Sequence, residues 1–117
     1  KDSIQFKINY ENKTGVYFSQ IYQIIKFVDE SNILDKQRYI NIFKAQFTKK
    51  ELELLFYGCL RDIVRKKFKL LVEEYSFFEY LSLNSDVEVE LLKYDIKAFG
   101  ENEEILKNYN KLSSKAQ

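Results

Sequence analysis

Apolar positions recur with helical spacing along most of this chain. Between residues 16 and 30, Phe18, Ile21, Tyr22, Ile25 and Val28 form a 3.6-residue stripe that predicts a helix closed by Ser31-Asn32. Asp35 then caps a second helix with Tyr39, Ile40, Phe43 and Phe47 on one side. Thr48-Lys49-Lys50-Glu51 is a capping box, in which a hydroxyl and a carboxylate satisfy each other's open amides. It starts a third helix through Leu52, Leu54, Leu55, Phe56, Tyr57, Cys59 and Leu60, apolar nearly all round and so predicted to be central. A fourth helix follows with Val64, Phe68, Leu71, Val72 and Tyr75 inward, then an apolar knot at Phe77, Phe78, Tyr80, Leu81 and Leu83.

After the Asn84-Ser85-Asp86 turn, a last helix is expected to carry Val89, Leu92, Ile96 and Phe99, with Gly100 stopping it. Residues 101–117 form a polar tail or a frayed helix through Ile105, Leu106, Tyr109 and Leu112. Residues 1–14 break the helical rule. Ile4, Phe6, Ile8 and Tyr10 alternate with polar neighbours, which predicts a short extended arm. Its only alternating counterpart is Val87, Val89 and Leu91; packing on the helices, or ending a preceding region, fits the pattern equally. The expectation is an all-α bundle of five to six helices around a central helix at about 49–61, with an arm at 1–14, a helical domain at 15–100 and a tail at 101–117.

Composition sharpens this picture. Across 117 residues there is no Pro and only three Gly, which favours long helices with short connections. Aromatics reach 16%, and most sit on the helical stripes, where core packing explains them better than base stacking. The absence of Met leads us to expect a chain that has lost its initiator or is a piece of something longer. No apolar run has the length of a membrane span, and a lone thiol suits a reducing cytosol, so a cytoplasmic location is expected.

The chemistry available is narrow. There is no His, which removes imidazole bases and ligands, and Cys59 lies in the most apolar helix, where it reads as a small core residue. Acid pairs at Asp29-Glu30, Glu51/Glu53, Glu73-Glu74 and Glu103-Glu104 lack any spacing that would by itself build a cleft or a magnesium site. No catalytic residue, metal ligand or cofactor is assigned. Net charge is +1, yet the charge is segregated. Lys36, Arg38, Lys44, Lys49 and Lys50 fall in one acid-free stretch; Arg61, Arg65, Lys66, Lys67 and Lys69 share another with Asp62 alone. Acids crowd residues 86–104. Such a basic face could hold phosphates. The plainer reading is a solvated face that pairs with the acidic segment, in the same molecule or a neighbour.

Four blocks carry a resemblance: YFSQIYQIIKFVDES (17–31), YINIFKAQF (39–47), TKKELELLFYGCL (48–60) and KFKLLVEEYSFFEYL (67–81). In order and spacing they resemble the putative phage abortive-infection protein family, the AbiC-like group of bacterial proteins, over about residues 16–81 and on toward 97–100. The resemblance implies antiphage defence, in which an infected cell stops growing or dies before phage matures. It implies no settled reaction, and members often carry membrane-spanning helices before this region. Polar positions depart from the family pattern: Val16 stands for His, Ser19 and Lys44 for Arg, and Gly58 for Asn.

Three roles follow as expectations. The first is an interaction or sensing module for a phage or host protein, with a groove between helices 1 and 3 near Ser19, Tyr22, Lys44 and Tyr57. The second is a nucleic-acid-binding or metal-dependent nuclease toxin acting through Lys44, Lys49, Lys50, Arg61, Arg65, Lys66 and Lys67. The third is a homo-oligomerisation domain pairing through an aromatic patch at Phe77, Phe78 and Tyr80.

Overall fold

The structure, a computed structural model, describes residues 17–62 and 65–116. The arm at 1–14, Val16 and Val64 lie outside the described residues. All regular structure among the described residues is helical, with no strand. Helix α1 covers 17–30; α2 (Lys36–Lys44), α3 (Lys49–Arg61), α4 (Lys66–Glu74), α5 (Ser85–Glu90) and α6 (Glu103–Ala116) follow, with 3-10 turns at Leu91–Lys93 and Ile96–Phe99 between α5 and α6.

Local chemistry sets the boundaries. The Asp35 side chain accepts from the Arg38 amide at the start of α2. At α3 both halves of the capping box form: Thr48 Oγ1 accepts from the Glu51 amide at 3.1 Å, and Glu51 Oε1 accepts from the Thr48 amide at 2.9 Å. Asn84 caps α5 through the Val87 amide. Helix α4 ends in a Schellman-type reversal, with the Phe77 amide donating back to the Val72 carbonyl and Ser76 in the left-handed region at φ 51°.

The core forms around α3. None of residues 51–60 is exposed, and Leu52, Leu55, Phe56 and Cys59 are buried. Buried Ile21 and Ile25 from α1, Phe68, Leu71 and Val72 from α4, and the knot residues Phe77 and Phe78 complete one cluster with them. Phe56 lies at its centre, stacked on Tyr94 at 4.9 Å and edge-on to Phe78 at 5.5 Å. Two hydroxyls tie the layers together. Tyr94 Oη donates to the Phe56 carbonyl at 2.6 Å, and Tyr109 Oη of α6 donates to the Tyr94 carbonyl at 2.7 Å.

The segment after α5 differs from the expected single helix. Of the expected inward set only Phe99 is buried; Val89, Leu92 and Ile96 face water, and Val87, Leu91, Tyr94 and Ala98 face the core. The chain breaks at Tyr94 and Asp95, where the Asp95 carboxylate accepts from the Lys97 amide and opens a new turn. The second register wins because it delivers Tyr94 to Phe56. Gly100 ends that turn at φ 52°.

Candidate functional site

The four residues expected to line one groove between α1 and α3 are not gathered in one. Where those helices meet, the Phe18 ring packs against Gly58, so closely that a Cβ there would fall 2.8 and 2.9 Å from its Cε2 and Cε1. Ser19 is half-buried beside it. Tyr22 leans onto Phe68 of α4, with ring centroids 5.3 Å apart and the Lys26 ammonium 5.7 Å from the Tyr22 ring centroid.

Lys44 is a core residue, only 2% exposed. Its ammonium donates to the Ser76 carbonyl at 2.9 Å and to Glu79 Oε1 at 3.1 Å, with the Tyr80 ring 5.7 Å away. The left-handed Ser76 aims that carbonyl at the lysine. Lys44 therefore joins α2 to the reversal after α4, at the floor of a polar depression of about 440 Å³ that Gln37, Asn41, Lys97 and Glu101 also line.

Tyr57 lines a different cleft, of about 360 Å³, with Arg61 of its own helix and Asp86, Val89 and Glu90 of α5. Its hydroxyl donates to Glu53 Oε2 at 3.0 Å, and Asn84 donates to the same oxygen at 3.2 Å. Partial burial and then the Glu53 bond push the phenol up to about 12. The Arg61 guanidinium stands 5.5 Å over the Tyr57 ring. This arrangement joins α3 to α5 with charges of both signs and places no activated nucleophile at the cleft.

The remaining basic residues divide between local partners and water. Arg65 binds Asp62 at 2.9 Å, Lys67 lies 3.7 Å from Glu30, and Lys69 binds Glu73 at 2.9 Å. Lys49 reaches the Tyr80 carbonyl; Lys50, Arg61 and Lys66 are exposed. Within the molecule, the ion pairs described for cations of 36–69 run to Glu79, Asp62, Glu30 and Glu73. Burial pushes the Cys59 thiol up and keeps it protonated. Among the described residues, no three His, Cys, Asp or Glu side chains group as metal ligands. None of the helices they form is long and apolar enough to cross a membrane.

The expected aromatic patch is also turned inward. Phe77 and Phe78 are fully buried, Phe77 edge-on to Phe47 at 5.3 Å, which leaves only Tyr80 exposed. The exposed apolar surface lies elsewhere. Helices α1 and α2 lie side by side across a shallow groove of about 230 Å³, where Tyr17, Ile21 and Ile24 meet Phe43 and Phe47. Above it Ile24, Phe27, Tyr39 and Ile42 stand in water, with Leu34 wholly exposed at the connection. The sequence carries a signal for it: Ile24 and Phe27 are large apolar residues on α1 that fall outside its buried stripe.

The sequence matches the family described as putative phage abortive infection protein over residues 9–87. No curated protein and no solved structure matches the chain.

Proposed function

The chain belongs to the putative phage abortive infection protein family, and from that premise we propose that it serves antiphage defence as a docking module. One observation carries this reading: the open apolar surface over the α1/α2 groove, where Phe27 is 71% exposed while the interior is closed and aromatic. A contiguous apolar face of this kind is what a protein partner covers. Lys44 holds α2 to the reversal after α4, and the Tyr57 hydroxyl is taken up by Glu53 within α3.

Phage challenge of cells expressing the whole gene tests the reading. Phe27→Glu and Ile42→Glu change exposed positions, so the fold is retained and protection is lost. Full protection by both variants would overturn the docking role.

A further inference from the structure

We propose that the α1/α2 groove pairs with the same groove of a second copy of this chain. The inference rests on the docking role above and names its occupant.

Three observations lead there. The first is shape. Helical spacing puts Gln20, Ile24 and Phe27 on one wall and Tyr39, Ile42 and Gln46 on the other, two ridges flanking a shallow trough. Such a surface can meet its own copy about a two-fold axis, each ridge entering the other's trough. The second is charge. Gln20, Gln23 and Gln46 are exposed on these ridges and uncharged, and the Lys26 ammonium is drawn toward the Tyr22 ring. Self-pairing sets like against like near the axis, where a charged ridge would repel its copy. One lining residue of the trough is charged, Glu51 at its α3 end, and its carboxylate already accepts from the Thr48 amide in the capping box. The third is area. Ile24, Phe27, Leu34, Tyr39 and Ile42, from 44% to wholly exposed, present on the order of 500 Å² per copy, near the share each partner contributes to a small, reversible interface.

Sedimentation velocity on the purified 117-residue chain, from low micromolar to hundreds of micromolar, tests this. A reversible monomer–dimer equilibrium is expected. Phe27→Glu or Ile42→Glu each weakens it by about a hundredfold, because each buries charge at the contact. Leu70→Glu, an exposed apolar position on α4, leaves it unchanged, and circular dichroism checks that each variant is folded.

A wild-type chain that stays monomeric throughout overturns self-pairing. The docking role is then judged separately, by whether a monomeric Phe27→Glu variant still loses phage protection. A dimer indifferent to both glutamates also overturns the proposal. So does a chain that pairs only when shortened to start at Tyr17, which would give the groove to residues 1–16.

Discussion

The Phe18 ring fills the volume that any side chain at position 58 would need. Position 58 is glycine because α1 and α3 touch there, ring against backbone. Gly58→Ala should therefore cost about 1–3 kcal/mol, from overpacking set against the better helix propensity of alanine. Shrinking the ring with Phe18→Leu in the same molecule should recover part of that loss. Urea unfolding of the two single variants and the double variant measures the coupling; strict additivity would mean that the helices do not meet as described.

Lys44 should behave as a structural residue. Lys44→Met leaves the Ser76 carbonyl and the Glu79 carboxylate without their cation, at a cost of about 2 kcal/mol. The loss stays moderate because the Glu79 side chain is 25% exposed and water can reach it. Brief acetylation followed by mass spectrometry should modify Lys50 and spare Lys44 in the folded protein. Equal labelling of the two would contradict its burial.

Cys59 should report unfolding. Its thiol is buried and pushed up by desolvation, so alkylation of the native chain is limited by opening of the fold. The rate should rise in step with unfolding as denaturant is added. Fast labelling without denaturant would show that α3 is not central.

Alkali should weaken the protein through its tyrosines. Tyr57, Tyr75, Tyr94 and Tyr109 are all raised, first by burial; for Tyr75 the bond to Asp29 adds to it. Each phenol holds its proton more tightly in the fold than in the open chain. Their contribution is complete below the unfolded value of 10.0 and falls as pH climbs from there, toward about 12 for Tyr57. Tyr94 is the most deeply buried of the four, so Tyr94→Phe should flatten this alkaline loss most. Denaturant midpoints across that range, compared with wild type, check it.

What could be read from the amino-acid order tracks how local the cause is. The α3 capping box involves only Thr48 through Glu51, and its two bonds form as expected. Stripes such as Phe68, Leu71, Val72 and Tyr75 were legible because a single face is buried. Residues 86–99 offered two periodic sets, and the choice between them depends on Phe56, far away in the chain. Lys44 reads as a surface cation in the sequence because its partner is a carbonyl turned by Ser76, a serine in a conformation that favours glycine. The α1/α2 face is not legible for a related reason: apolar spacing marks what is buried, and Phe27 lies off that spacing.

The two tyrosine ties that cross the interior end on main-chain oxygens, at Phe56 and at Tyr94 itself. An acceptor of that kind is supplied by every amino acid. Position 56 is thus free to drift among residues of similar bulk, whereas positions 94 and 109 would each lose a cross-link with the first change to phenylalanine. In diverging descendants of this chain, the donors should change last and the receiving position sooner.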